Sequence, residues 1–229
     1  MAMTFLPIVG RELRVAARRK STYRLRTWTV VIAVGVGFFA LSFALLTRGF
    51  GAPGKPLYTT LTTYTFGLSL IAGVFLTADC LSEEKREGTL GLLFLTDLKG
   101  YDVVLGKFMA MSLNAFYGLL AILPITGLSL LLGGMTGGEF CRMTLALVNT
   151  LFFSLAAGIC VSAFGRNPQW VMGGTLGLAI LFVAVLPGLA GLGSAFHAPP
   201  VGSCLAWISP YYPFAQALEP MYLTQPAKY

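Results

Sequence analysis

Five long stretches of the 229-residue chain are dominated by apolar residues, and none of the five contains Asp, Glu, Lys or Arg. A helix that crosses a bilayer needs roughly 20 consecutive apolar residues. Glycine and proline cluster in several of the breaks between these stretches, as expected for turns. The sequence therefore predicts an all-α polytopic transmembrane bundle with five spans, at residues 28–47, 57–78, 108–132, 143–165 and 168–192.

Residues 5–26 show a different pattern, in which apolar and basic positions recur at helical spacing on opposite sides. At about 100° per residue, Phe5, Leu6 and Val9 fall on one arc of a helix and the arginines on the opposite arc. This predicts an amphipathic helix in the membrane interface, anchored to anionic headgroups by Arg11, Arg14 and Arg18. A basic flank that only fixes the orientation of the first span would satisfy the same pattern.

Composition supports an integral membrane protein, because 56% of the residues are hydrophobic and only 11% are charged, against about a quarter in soluble domains. The net charge of +7 does not indicate nucleic acid binding, since seven of the sixteen basic residues lie between Arg11 and Arg26, just before a span. With the N-terminus in the cytoplasm, twelve basic residues fall inside and four outside. We therefore expect a cytoplasmic segment at residues 82–107 and an extracytoplasmic tail at residues 197–229.

The chain carries little that could do chemistry by itself. The predicted spans hold no ionisable group of the kind that marks a proton relay or an intramembrane enzyme, and no phosphate-binding glycine loop is present. Four scattered cysteines and one histidine predict neither a catalytic site, a bound cofactor nor a metal site. A disulfide between Cys141 and Cys204 stays open beside the alternative that both are packing residues.

Hydroxyl groups crowd the N-terminal half of the second span. Possible pathway-lining residues are Thr59, Thr62, Thr63 and Tyr64. The alternative is that these hydroxyls hydrogen-bond neighbouring helices and their own backbone. In the fifth span, Gly173 and Gly177 form a G-x-x-x-G pair that would permit close helix approach, although 27 glycines make such a spacing common.

Most of the acidic residues lie in the segment at residues 82–107. Leu90, Leu93 and Phe94 recur at helical spacing and would form an apolar ridge. The preceding residues 83–87 form a charged collar, made of Glu83, Glu84, Lys85, Arg86 and Glu87. This collar could fix the register of the ridge on a partner surface, and Gly88 would allow a bend between the two. A solvated charged loop followed by an interfacial helix is the alternative.

This segment resembles the cytoplasmic signature of type 2 ABC (ATP-binding cassette) exporter permeases. The resemblance lies in an acidic and basic cluster with Gly-Thr-Leu at 83–90, Thr-Asp-Leu at 96–98 and Leu-Gly-Lys at 105–107, and in the turn from Ser162 to Arg166. It implies a coupling helix that docks on a cytoplasmic ATPase subunit. The ATPase-coupling residues so implied are Glu83, Glu84, Arg86, Glu87, Gly88, Thr89, Leu90, Leu93 and Phe94.

The resemblance implies a non-enzymatic permease subunit in a cell membrane, expected to be a bacterial inner membrane. It would work with a second permease subunit, as a homodimer or with a paralogue, and ATP with Mg²⁺ would bind only to the partner ATPase. Family members usually have six spans, so we expect a sixth beyond the five seen here. The alternative function is a membrane scaffold that docks a soluble partner on the same loop without transport.

Overall fold

A computed structural model describes residues 14, 20–48, 54–77, 100–133, 135–165, 167–195 and 207–218. These residues are helical with short connections and contain no strand, which confirms the predicted all-α class. The helices are α1 (Lys20–Arg48), α2 (Gly54–Thr77), α3 (Gly100–Leu131), α4 (Gly137–Phe164), α5 (Pro168–Ile180), a π-helix (Leu181–Val185), α6 (Leu186–Ala195) and α7 (Tyr211–Gln216).

Five helical stretches are long and apolar enough to cross a membrane, which confirms the predicted number of spans among the described residues. They are Thr27–Leu46, Gly54–Thr77, Val104–Leu131, Gly137–Phe164 and Gln169–Leu189. Helix α1 is continuous from Lys20, so the end of the basic N-terminal region and the first span share one helix. The fifth stretch runs through α5, the π-helix and the start of α6.

Helix α4 begins at Gly137, six residues before the span that the apolar pattern predicts at 143–165. Thr136 caps it, because its side-chain oxygen accepts a hydrogen bond from the backbone N–H of Glu139 at 3.2 Å. In the preceding turn, Gly133 has a φ of 77°, a left-handed conformation that glycine adopts at little steric cost. The glycine-rich break after the third span is therefore only a short turn, and the next helix starts immediately.

The core of the bundle lies between α2, α3 and α4. Its buried members include Tyr58 and Phe66 of α2, Leu119 of α3, and Leu151 and Leu155 of α4. Helices α2 and α4 make the most extensive contact of any pair of described helices. α1 and α5 lie at the margins of this three-helix core.

Two proline-associated irregularities interrupt the spans. Pro124 lies inside α3 and cannot donate a backbone hydrogen bond to the preceding turn. In the fifth span, the N–H of Leu186 donates to the carbonyl of Leu181, five residues back, just before Pro187. A π-turn absorbs the backbone mismatch there without breaking the helix.

Candidate functional site

We name the two ends of the bundle after the two ends of α2. The Gly54 end is where α2 and α4 begin, and the Thr77 end is where α2 ends. The segment at residues 82–99, which includes every predicted ATPase-coupling residue from Glu83 to Phe94, lies outside the described residues. Arg11 and Arg18 of the predicted interfacial anchor also lie outside them, whereas Arg14 is helical and exposed. These assignments stay predictions.

The predicted pathway residues lie on α2 near the Gly54 end, and their hydroxyls donate mainly to the backbone of α2 itself. Thr59 donates to the carbonyl of Lys55 at 3.0 Å, and Thr63 donates to that of Thr59 at 2.8 Å. Thr62 donates to the carbonyl of Tyr58 at 2.9 Å. Each hydroxyl oxygen can still accept a hydrogen bond, because donation uses only its proton.

These residues do not share one face of the helix. Thr62 is buried in the bundle, whereas Thr59 and Thr63 are exposed. Tyr64 is half-buried, and its hydroxyl donates to the carbonyl of Thr29 on α1 at 3.5 Å. The structure therefore assigns Thr62 and Tyr64 to contacts within the bundle and leaves Thr59 and Thr63 on its surface.

The exposed face of α2 changes character along its length. Near the Gly54 end this face shows Lys55 and three threonines. We call the hydroxyls of Thr59, Thr60 and Thr63 the hydroxyl row. Near the Thr77 end its exposed large side chains are apolar, with Ile71 and Phe75 on the surface. A row of polar groups on a spanning helix favours a face that meets water, cargo or another helix, because lipid chains offer no hydrogen bonds.

The structure also shows a buried acidic residue that the sequence analysis missed. Glu139 is 1% exposed and lies in the first turn of α4, inside a candidate span. The hydroxyl of Tyr58 on α2 donates to the backbone carbonyl of Glu139 at 3.4 Å, and Arg142 follows one turn later. The prediction that the fourth span contains no ionisable residue holds only for the shorter bounds 143–165.

A sequence signal for this position exists. The spacing of Thr136 and Glu139 matches the capping-box pattern, a hydroxyl residue followed three positions later by Glu. That pattern predicts a helix start at 137 and so places Glu139 in the span. A carboxylate in the first turn is also favoured by the positive end of the helix dipole.

The short helix α7 packs into the bundle between α2 and α4. Phe214 is buried, and its ring centroid lies 4.4 Å from that of Phe66 on α2. Phe66 is twelve residues from the start of α2, about 18 Å along the helix axis. Ala217 is also fully buried, so residues near the C-terminal end of the described chain reach well below the Gly54 end.

A comparison with known protein families identifies the class of this membrane protein. A family model described as "ABC-2 family transporter protein" matches residues 44–227, which is most of the chain. The chain belongs to the ABC-2 transporter family. It is therefore a permease subunit of an ABC transporter and a multi-pass membrane protein. No curated protein sequence matches it significantly.

Membership of this family fits the arrangement of the permease. The family's membrane subunit is a transport component rather than an ATPase, and it implies association with an ABC ATPase subunit. Among the described residues, the permease has the five long apolar helices expected of such a membrane component. The cysteine pair stays a prediction, because Cys141 is exposed on α4 and Cys204 lies outside the described residues.

Proposed function

We propose that the permease is the transport subunit of an ATP-driven exporter, in which residues 83–95 dock on a cytoplasmic ATPase and its nucleotide cycle drives alternating access. The observation that carries this proposal is the position of α2. In the sequence, residues 83–95 follow shortly after the Thr77 end of α2, and the Gly54 end of α2 bears the hydroxyl row. One helix therefore joins the proposed energy input to the proposed pathway.

Helix α2 is well suited to transmit a displacement. From Thr77 to Thr63 it covers fourteen residues, about 21 Å at the rise of an α-helix. The contact with α4 includes a hydrogen bond from the Ser154 hydroxyl to the carbonyl of Leu70 at 2.7 Å. Because α2 and α4 are held together tightly, a force on the coupling segment would move both helices as one unit.

The proposal of ATP coupling is tested by reconstituting the permease with its ATPase and measuring ATP hydrolysis. We expect Glu84→Lys combined with Leu93→Asp to abolish permease-dependent stimulation, because the first change reverses a collar charge and the second places a charge on the apolar ridge. The conservative pair Glu84→Asp and Leu93→Met serves as the control and should keep most of the stimulation. Full stimulation by the disruptive pair would remove the coupling assignment and favour a non-transporting scaffold.

The direction of transport is tested by the accessibility of the hydroxyl row. In a cysteine-free background, Thr63→Cys should react faster with a membrane-impermeant maleimide added outside when a non-hydrolysable ATP analogue is bound. An exporter uses ATP binding to expose its pathway outward, so the labelling rate should rise by about tenfold. Phe75→Cys, near the Thr77 end of the same helix, should show no such rise. Faster labelling of Thr63→Cys without nucleotide would contradict the export direction.

A further inference from the structure

A cavity of about 230 Å³ lies among α1, α2 and α3, with one wall residue from α4. Its position follows from the residues of α2 that line it, which run from Thr65, near the middle of the helix, to Leu76 at the Thr77 end. The wall on α3 is centred on Gly118, near the middle of that span. The cavity therefore lies at hydrocarbon depth, in the half of the bundle towards the Thr77 end.

The cavity opens sideways, towards the surface of the bundle. Two of its lining side chains, Ile71 and Phe75, are 47% and 66% exposed on α2. Thr29 of α1 lines it on the other side and is half-buried. Since the opening lies at membrane depth, the medium that reaches it is the hydrocarbon of the bilayer.

The lining favours an apolar occupant. Most of the side chains around the cavity are aliphatic or aromatic. The two hydroxyls from α2 are already used within the helix, because Thr65 donates to the carbonyl of Leu61 at 2.7 Å and Ser69 to that of Thr65 at 2.9 Å. An unfilled space of this kind loses dispersion contacts on every wall, so a flexible apolar chain that can enter it is stabilised there.

The size of the cavity limits what can enter. An engineered apolar cavity of about 150 Å³ is enough to bind benzene, so the space here accepts a segment of a hydrocarbon chain. A helix of a second subunit has a diameter of about 10 Å with its side chains and cannot enter. A partner helix could at most cover the opening.

We propose that this cavity binds one acyl chain of a membrane phospholipid, from the bilayer leaflet at the Thr77 end. The bound chain fills the space among α1, α2 and α3, beside the contacts that α1 makes with both of the other helices. This inference rests on the permease lying in a membrane and is independent of the proposed ATP coupling.

The test uses the purified permease in phosphatidylcholine vesicles that contain a phospholipid with a diazirine in the middle of one acyl chain. After illumination, mass spectrometry should find the lipid attached within residues 65–76 and 114–122, which carry most of the lining. Gly118→Leu should reduce this labelling about tenfold, because a β-carbon at Gly118 meets nothing within 4 Å and leucine would fill the space.

Gly127→Leu is the matched control. It changes the same residue type on the same helix, a β-carbon there also meets nothing within 4 Å, and it does not line the cavity. Labelling should match the unmodified protein. Should Gly118→Leu fail to give a folded protein, Gly118→Ala should still lower the labelling about threefold, as a partial filling.

Three results would overturn the proposal. Equal labelling of the unmodified permease and folded Gly118→Leu would show that the lipid reacts outside the cavity. Disulfide formation between two copies of a Phe75→Cys variant, together with no lipid attachment, would show that a subunit covers the opening. No lipid attachment in residues 65–76 or 114–122 would show that the cavity takes no acyl chain. Loss of ATPase stimulation alone affects none of these readings.

Discussion

The α2 and α4 pair and the outer helices α1 and α5 are packed very differently. In their most apolar windows, 39% of α2 and 44% of α4 is buried, against 17% for α1 and 11% for the fifth span. By sequence α4 and the fifth span are equally apolar, and they still differ fourfold in the buried share. The difference shows that apolar composition predicts a span but does not predict what the span touches, because lipid and protein interior are equally apolar.

Small residues explain the tight pair. A β-carbon on Gly73 would lie 2.0 Å from the Ser154 hydroxyl oxygen, and one on Gly158 would lie 1.9 Å from that of Thr77. The two helices therefore approach closely at two points. At one point the backbone of Gly73 on α2 meets the side chain of Ser154 on α4, and at the other the backbone of Gly158 on α4 meets the side chain of Thr77 on α2. We call these contacts, together with the hydrogen bond from Ser154 to Leu70, the glycine seam. In lipid such close packing and hydrogen bonding replace the hydrophobic effect as the force that joins helices.

The outer helices show the opposite surface. Phe38 and Phe39 of α1 are each 73% exposed. Gly173 and Gly177 of α5 are exposed, and a β-carbon on either would meet nothing within 4 Å. Helices α1 and α5 thus keep faces available for lipid or for a partner protein, whereas the faces of α2 and α4 that form the glycine seam are fully used.

The largest expected effect comes from Gly158→Leu, which would place a side chain against Thr77 and the backbone of Gly73. Because backbone cannot move aside, we expect destabilisation of more than about 3 kcal/mol and little monodisperse protein by fluorescence size-exclusion chromatography in detergent. Gly177→Leu on α5 is the matched control and should give a normal elution profile. Equal yields of the two variants would show that the glycine seam is not required for folding.

The glycine seam illustrates what the sequence could and could not predict. The five spans follow from runs of apolar residues, and the structure confirms their number. The sequence contains 27 glycines, and nothing in their spacing selects Gly73 and Gly158, because the two belong to different helices. Only the register between α2 and α4 brings each glycine opposite a hydroxyl residue.

Glu139 could not be recognised as buried for a related reason. A rule that ends each span at the first charged residue places Glu139 in a loop, and a capping pattern would have moved the helix start to 137. Even then, its burial depends on Tyr58 of α2 and on the neighbouring helix ends, which are far away in sequence. Long-range packing decides whether a charged residue near a span end is solvated or enclosed.

A smaller effect is expected from removing one aromatic ring from the tightly packed pair of α2 and α4, and one from the outer helix α1. Phe66→Ala would leave a cavity beside Phe214, and we expect a loss of about 2 kcal/mol in the free energy of unfolding. This is below the roughly 3–5 kcal/mol seen for buried aromatic residues in soluble proteins, because the unfolded chain in detergent is not exposed to water to the same degree.

Phe39→Ala on α1 is the control for this change and should alter the free energy of unfolding by less than about 0.5 kcal/mol, since the ring is mostly exposed. Both values would come from denaturant unfolding in the same detergent. A larger loss for Phe39→Ala than for Phe66→Ala would mean that α1 is packed more tightly than the structure shows, for instance by a second subunit that persists in detergent.

The smallest expected effect separates a hydrogen bond between helices from one within a helix. Ser154→Ala removes the bond to Leu70 across the glycine seam and should cost about 0.6–1 kcal/mol, the usual size of such a bond in membrane proteins. Ser42→Ala on α1 removes a bond of similar length, 2.8 Å, to the carbonyl of Phe38 in its own helix. That bond only shares a carbonyl already used by the helix, so its loss should be within about 0.3 kcal/mol of zero. Equal losses measured by denaturant unfolding would mean that the serine bond adds nothing to the seam, and that the glycine contacts alone hold α2 against α4.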